Sequence, residues 1–166
     1  MTNAAPSLYE SRIDLAADTR TTVVTVLSQT LAATIDLKTQ TKQAHWNVKG
    51  RDFYQLHELF DAMASELEEY VDMVAERITA LGAIAYGTTR IAAANSIIPE
   101  YPLDAVNGKA HITALAERFA AYAKHVREAI AQTDEAGDAD TADLYTEISR
   151  TVDKRLWFLE AHLTES

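Results

Sequence analysis

Between Gln55 and Gly82, apolar side chains recur at every third or fourth residue without interruption. This spacing matches one face of an α-helix and does not match the alternation of a β-strand. Gly82 is a natural helix terminator. The stretch therefore predicts a long amphipathic helix that must bury one face against other elements. The apolar stripe consists of Leu56, Phe60, Met63, Leu67, Val71, Val74, Ile78 and Leu81.

Three further stretches show the same period. The first runs from about Asp18 to Trp46, although its threonines and the segment VVTVL favour strand locally, and Gly50 follows as a helix stop. The other two carry apolar stripes over residues 112–130 and 144–163. Four long amphipathic patterns without a strand pattern predict an all-α four-helix bundle.

The connection between the second and third patterns is long, AIAYGTTRIAAANSIIPEYPLD, and predicts a short helix near residues 91–95. At 166 residues the chain is expected to form one domain over residues 1–166, with a short N-terminal tail over residues 1–17. The absence of cysteine excludes disulfides and thiolate metal sites. With no apolar run of 18 residues and no signal-peptide pattern, the expectation is a soluble, cytoplasmic protein.

A single line of polar residues runs along the second predicted helix: His57, Asp61, Asp72 and Glu76. The first two are four residues apart and share a face, and so do the last two. Asp61 and Asp72 are eleven residues apart, which is about 16 Å of helix rise and too far for one metal ion. Either each pair acts separately or a second copy of the helix brings the pairs together.

The symmetry of this line favours a second copy. The midpoint of its outer two residues coincides with the midpoint of its inner two, between Glu66 and Leu67. An antiparallel two-fold partner crossing there would create two identical sites, each with one imidazole and three carboxylates. Such a donor set suits Fe(II), Mn(II) or Zn(II). A solvated acidic face remains the alternative interpretation.

His45 lies near the end of the first helix, beside Trp46, and an antiparallel hairpin can bring it level with His57. The alternative for a lone histidine is a satisfied interfacial residue. Lys42 stands three residues before His45 on about the same face. We interpret it as a surface lysine, with pairing to Asp61 in the absence of metal as the alternative.

The residues TKQAHWNVKGRDFYQLHELFDAM, followed by DMVAERITALG, resemble the signature of the Dps family, the miniferritins of bacteria and archaea. The motifs YGTTR, YPLD, DADTADL and DKRLWFLEAHL extend the resemblance over nearly the whole chain. It implies a ferritin-like bundle assembled as a hollow homo-dodecamer. It further implies a ferroxidase that oxidises Fe(II), preferably with hydrogen peroxide, stores ferric oxide in the cavity, and protects DNA and the cell from oxidative damage.

The resemblance implies the ligands residue by residue: His45, His57 and Asp61 from one subunit, with Asp72 and Glu76 from its neighbour. No ligand position departs from the pattern. Imidazole and carboxylate donors stabilise Fe(III) relative to Fe(II), which favours electron loss. The same donors bind zinc or manganese, so a carrier of either metal is a further alternative.

Other aromatic and histidine residues carry weaker predictions. The resemblance suggests that Trp46 intercepts stray oxidising equivalents, whereas packing at an interface is an equally good interpretation. Trp157 is predicted to lie in the core. His111, His125 and His162 stand on helices without the acid pairing seen for His57 and are predicted to be surface or interface residues.

Three acids, Asp138, Asp140 and Asp143, cluster where the fourth helix begins. The family parallel makes them candidates for an acidic three-fold channel that admits Fe(II). A structural role is compatible with this, since Asp140 or Thr141 can cap the helix and an acid in the first turn favours the helix dipole.

The net charge of −10 argues against binding to nucleic acid, which needs clustered Lys and Arg. Family members that compact DNA commonly use a lysine-rich tail, whereas the first twenty residues here hold only Arg12 and Arg20 as basic residues, and the chain ends HLTES. We expect weak or absent DNA binding at neutral pH. The rival prediction is a nucleoid-associated, DNA-compacting shell with little ferroxidase activity.

Overall fold

The computed structural model describes residues 8–164, which form five helices and no strand. Helix α1 pairs with α2, α4 pairs with α5, and α1 also contacts α3 and α4. The prediction of an all-α four-helix bundle with a short helix in its long connection is confirmed. No helix in this part of the chain combines the length and apolarity needed to cross a membrane. The helices are α1 (Ala17–Asn47), α2 (Phe53–Ala80), α3 (Thr89–Asn95), α4 (Gly108–Glu135) and α5 (Ala139–Ala161).

Helix α1 is regular despite its strand-favouring threonines. Five of its threonine hydroxyls lie within hydrogen-bonding distance of the backbone carbonyl four residues earlier, which gives each hydroxyl a partner within the helix. Tertiary packing then decides the conformation, because Val23, Val24 and Leu27 are fully buried. These threonines are Thr21, Thr25, Thr30, Thr34 and Thr41.

The core side of α2 follows the predicted stripe, with seven of its eight apolar residues buried and Val71 half-buried. On α5, however, the prediction that Trp157 lies in the core is wrong, since 63% of it is exposed. Val152 is buried on α5, and five residues further turn the helix by about 140°, away from the core. Trp157 therefore lies on the outer face.

The three histidines outside the polar line differ from one another. His111 is buried, with 1% exposed, so its prediction as a surface residue is wrong; its Nδ1 lies 2.6 Å from the Tyr101 hydroxyl. His125 is half-buried against α1. His162 is exposed, as predicted.

The N-terminal segment is tied to the end of α2. Of the predicted tail, residues 1–7 lie outside the described part, residues 8–16 are non-helical, and Ala17 already belongs to α1. The Tyr9 amide donates to the Gly82 carbonyl at 2.6 Å, and Arg20 donates to the Leu81 carbonyl at 3.0 Å. Gly82 has φ +88°, and a Cβ there would lie 2.7 Å from the Tyr9 oxygen, so only glycine fits.

Asp138 is the residue that caps α5, so the expectation that Asp140 or Thr141 does so is wrong. Its Oδ1 accepts from the Thr141 amide at 3.0 Å and from Arg77 Nη2 at 2.7 Å, and its Oδ2 accepts from the Thr141 hydroxyl at 2.6 Å. The carboxylate is 2% exposed. The cap therefore also ties α5 to α2 through a buried ion pair.

Replacing this carboxylate tests the link. We expect Asp138→Ala to lower the free energy of unfolding by about 3 kcal/mol, because it removes the cap and leaves Arg77 without its partner. Urea unfolding followed by circular dichroism at one fixed protein concentration measures the loss. The matched control is Asp140→Ala, an exposed acid in the first turn, which should cost less than about 1 kcal/mol. Equal losses in the two variants would contradict the assignment.

Candidate metal centre

A tight turn between α1 and α2 brings the two histidines together. Residues 48–52 form the turn, with Val48 buried and Gly50 at φ +117°, a conformation that favours glycine. The rings of His45 and His57 then stack with centroids 3.7 Å apart and planes 22° from parallel. The hairpin expected from sequence therefore does place these two residues at one level.

Two reciprocal hydrogen bonds lock the histidines. His45 Nδ1 donates to the His57 backbone carbonyl at 2.8 Å, and His57 Nδ1 donates to the His45 carbonyl at 2.9 Å. A ring nitrogen bonds a carbonyl only as an N–H donor, so in the neutral rings both Nε2 atoms keep a lone pair. Metal-binding histidines are commonly oriented by such a bond from the other ring nitrogen. Residue spacing could not reveal this pairing.

Asp61, the third ligand predicted for this half of the centre, lies one turn after His57. Its Oδ1 lies 3.9 Å from His45 Nε2 and accepts a hydrogen bond from Lys42 Nζ at 2.6 Å. That hydrogen bond holds the pKa of Asp61 below its usual value. Of the two interpretations of Lys42, the structure shows the pairing with Asp61.

The remaining two acids lie elsewhere. Asp72 and Glu76 are exposed further along α2, and within residues 8–164 their carboxylates have no hydrogen bond or ion pair. In that same part of one chain, no three His, Cys, Asp or Glu side chains are grouped closely enough to hold a metal ion. The five predicted ligands therefore form two separate halves, and their meeting across a two-fold axis remains a prediction.

Exposed aromatic side chains surround the histidine half. Trp46 is 66% exposed next to His45, and Lys42 Nζ lies 5.8 Å from the centre of its ring. Phe53 and Tyr54 are also exposed, and the Phe53 ring lies 5.2 Å from His57. Apolar surface clustered in this way is typical of an interaction surface, with aromatic residues enriched there.

The three channel candidates also differ in the structure. The Asp138 carboxylate is buried and bonded to Arg77 and Thr141. The Asp138 carboxylate is therefore not available to line a channel. Asp140 and Asp143 are exposed in the first turns of α5. A role in a channel remains a prediction for these two residues.

Comparison with known proteins defines the class. A family model described as the ferritin-like domain matches residues 24–166. The solved structure of DpsC from Streptomyces coelicolor superposes with a TM-score of 0.92 at 34% identity, over 96% of this chain and 94% of that one. DpsA14 from the same organism gives a TM-score of 0.93 at 29% identity, over 98% and 96%. The bundle is thus a ferritin-like bundle, as the resemblance implied.

Sequence similarity narrows the class to one family. The DNA protection during starvation protein of Agrobacterium fabrum is 42% identical over 157 residues, covering 95% of this chain and 97% of that protein. The DNA protection during starvation protein 1 of Deinococcus radiodurans is 33% identical, covering 84% and 68%. This chain therefore belongs to the Dps family, as its motifs indicated.

Lys42 competes with a metal ion for Asp61, and removing it tests the half-site. We expect Lys42→Met to bind Fe(II) several-fold more tightly under anaerobic conditions, because Oδ1 is then free. Since Lys42 lowers the pKa of Asp61, the carboxylate of the variant takes up its proton at a higher pH. Metal affinity should accordingly fall off at a higher pH in the variant than in the wild type.

Isothermal titration between pH 4 and pH 7 measures both effects, as long as the assembly is intact. Lys38→Met is the matched control, because Lys38 pairs with Glu68 on the same two helices and touches none of the predicted ligands. An equal change of affinity in both variants would show that only general charge matters.

Proposed function

We propose that this protein is an iron-oxidising and iron-storing miniferritin. Fe(II) is its substrate, hydrogen peroxide its preferred oxidant, and ferric oxide the product stored inside a dodecameric shell. The observation that carries the proposal is the reciprocal hydrogen bonding of His45 and His57, which keeps both Nε2 atoms available, with that of His45 3.9 Å from the Asp61 carboxylate. Membership of the Dps family supports it.

The donor types fit iron. Imidazole nitrogens and carboxylate oxygens suit Fe(II), and the carboxylates stabilise Fe(III) after the electron has left. Zinc and manganese accept the same donors, so competition by either ion is expected at this centre. The redox chemistry belongs to the metal, while the protein supplies orientation and charge.

A second copy of the chain supplies the missing half. Asp72 and Glu76 have no partners within the described chain, and the polar line on α2 is symmetric about the point between Glu66 and Leu67. An antiparallel two-fold contact at that point would set these acids opposite the histidines of the partner. It would also cover the exposed Trp46 beside each site.

The residues of each half have separable tasks. The two backbone carbonyls hold the imidazoles in the tautomer that binds metal, and Lys42 neutralises Asp61 until a cation displaces it. Peroxide accepts two electrons, from two Fe(II) ions, and with two protons gives two molecules of water. Hydroxyl radical, the product of one-electron reduction, is then avoided. We assign entry of Fe(II) to a channel that presents Asp140 and Asp143.

Subunit complementation tests the shared centre. We combine His57→Ala chains with Asp72→Ala/Glu76→Ala chains by joint refolding, since each variant damages a different half. Each type alone should lose rapid oxidation of Fe(II) by peroxide. At equal mixing half of the two-fold contacts are mixed, and each mixed contact holds one intact site of two, so about a quarter of the wild-type rate should return.

Stopped-flow absorbance of Fe(III) formation measures the rate, and native mass spectrometry confirms that every sample keeps the same assembly. Glu69→Ala is the control, an exposed acid on α2 that is not among the predicted ligands. Full activity in the Asp72→Ala/Glu76→Ala protein alone would sink the proposal, because those acids would then be a solvated face. A mixture that recovers nothing would exclude sharing between chains.

Protection of DNA is assigned to this chemistry and not to contact with DNA. Relatives carry the name DNA protection during starvation protein. The net charge of −10 on this chain, repeated in every copy, opposes the phosphate backbone at ordinary salt. Removing Fe(II) and peroxide protects DNA without binding it. The alternative, a DNA-compacting shell, needs a cationic surface that this composition does not favour.

A gel-shift titration separates the two. We expect no retardation of linear duplex DNA by the metal-free protein at neutral pH and about 50 mM salt, where electrostatic binding would be strong. A relative that does bind DNA serves as the positive control. Tight, salt-sensitive retardation would contradict the proposal and favour the DNA-compacting alternative.

A further inference from the structure

A line of hydrogen bonds crosses the core between three helices, away from the metal centre. The hydroxyl of Thr30 on α1 lies 2.7 Å from the Tyr145 hydroxyl on α5 and 2.8 Å from His125 Nε2 on α4. Thr30 and Tyr145 are fully buried, and His125 is half-buried. A phenol is thus linked to an imidazole through one hydroxyl group.

The direction of these bonds follows from the number of protons. Tyr145 has one hydroxyl proton and can donate it to Thr30 Oγ1. Thr30 also has one proton, with the Val26 carbonyl at 3.0 Å and His125 Nε2 at 2.8 Å as possible acceptors. When His125 carries its proton on Nδ1, its Nε2 accepts from Thr30. All donors then point from the phenol to the imidazole.

The hydrogen bonds among Tyr145, Thr30 and His125 lie level with the predicted acid half of the metal centre. Along the antiparallel pair of α1 and α2, Lys42 bonds Asp61 and Lys38 bonds Glu68. Thr30 lies eight residues before Lys38 on α1, and Glu76 lies eight residues after Glu68 on α2. The same antiparallel register therefore sets Thr30 level with Glu76. At this level Thr30 is buried in the core, whereas Glu76 is exposed on the surface of α2.

We propose that Tyr145 is a redox-active tyrosine whose proton is relayed through Thr30 to His125, so that it quenches one-electron oxidants formed at the metal centre. The inference rests on the proposed function for the source of oxidant, the hydroxyl radical formed when a single Fe(II) reduces peroxide. One electron leaves Tyr145 and reduces the hydroxyl radical to hydroxide. The phenolic proton moves to Thr30 Oγ1 while the proton of Thr30 moves to His125 Nε2.

The products are a neutral tyrosyl radical and an imidazolium. An electron from a later Fe(II), together with return of the proton from His125, restores the starting state. The metal centre thereby disposes of a single oxidising equivalent inside the bundle, where solvent and other molecules do not reach it. Two-electron oxidation by peroxide proceeds without this step, so the relay acts only when the second electron is missing.

The electrostatics of the buried groups agree with this chemistry. Burial raises the pKa of Tyr145 far above its usual value, so the phenol does not ionise by itself and electron loss has to be accompanied by proton transfer. Burial lowers the pKa of His125, which keeps the imidazole neutral and able to accept a proton. The nearby Glu128 carboxylate acts in the opposite direction and stabilises the imidazolium once it forms.

Two other tyrosines, the buried Tyr122 and the half-buried Tyr101, provide a contrast. Tyr122 is fully buried and lies 2.6 Å from the Thr34 hydroxyl, but Thr34 donates to the Thr30 backbone carbonyl, which does not take up a proton. Tyr101 bonds His111 directly, but the guanidinium of Arg118 lies 5.6 Å from the centre of its ring. A second cation on the histidine there would be repelled. Both tyrosines therefore serve as matched controls.

Freeze-quench electron paramagnetic resonance locates the radical. Protein loaded with one Fe(II) per site is mixed with peroxide and frozen within milliseconds. We expect a tyrosyl signal in the wild type, its loss in Tyr145→Phe, and its retention in Tyr122→Phe and Tyr101→Phe. Thr30→Val, which keeps the shape but removes the hydroxyl, should also lose the signal, and Thr30→Ser should restore it.

A wild-type signal in Tyr145→Phe would overturn the proposal, and so would retention of the Tyr145 signal in Thr30→Val. Fe(III) absorbance is recorded on the same samples, so failure of iron oxidation is seen separately. Photo-oxidised ruthenium tris-bipyridine then supplies a one-electron oxidant to the metal-free protein. A radical that depends on Tyr145 and Thr30 in that arm supports the relay even if the proposed ferroxidase fails, and a radical independent of them rejects it.

Discussion

The reciprocal hydrogen bonds between His45 and His57 set the register on which the other functional contacts depend. Each bond joins a ring on one helix to the backbone of the other, so neither helix can slide without losing both. The pairing of Lys42 with Asp61 one turn below follows from this register. At the far end of the hairpin, the same register brings Thr30 level with Glu76. The predicted metal half-site and the proposed relay therefore both depend on the register set by one tight turn.

Buried polar groups elsewhere join helices that are not neighbours in sequence. Arg77 of α2 reaches the cap of α5, and Arg118 of α4 donates to Gln40 of α1 at 3.1 Å. Each of these links forms only in this arrangement of the helices. Another arrangement would leave an unpaired charge in the core, which would be destabilising. The apolar stripes hold the bundle together, whereas these links define which helix faces meet.

The helices could be predicted from sequence because apolar residues recur along the chain with the helical period. Even the predicted bounds of α1 agree with the structure to within one residue, despite its threonines. The same period also places the four predicted metal ligands of α2 on one face of that helix. Contacts between distant segments could not be predicted in this way: His111 is buried because the connection after α3 brings Tyr101 onto it. The apolar character of Trp157 also misleads, because this residue lies on the outer face of α5. The partner of Asp138 is 61 residues away in sequence, so its role as a buried cap had no local signal.

The wide spacing of the two acid pairs on α2 has a consequence for the life of the protein before assembly. With about 16 Å between Asp61 and Asp72, a newly made chain carries half of each of two reaction centres and a whole one of neither. Under the proposed function, such a chain cannot begin to oxidise iron before it assembles with a second copy. Assembly of the shell then has to precede iron oxidation, and ferric oxide can start to form only inside an assembled shell.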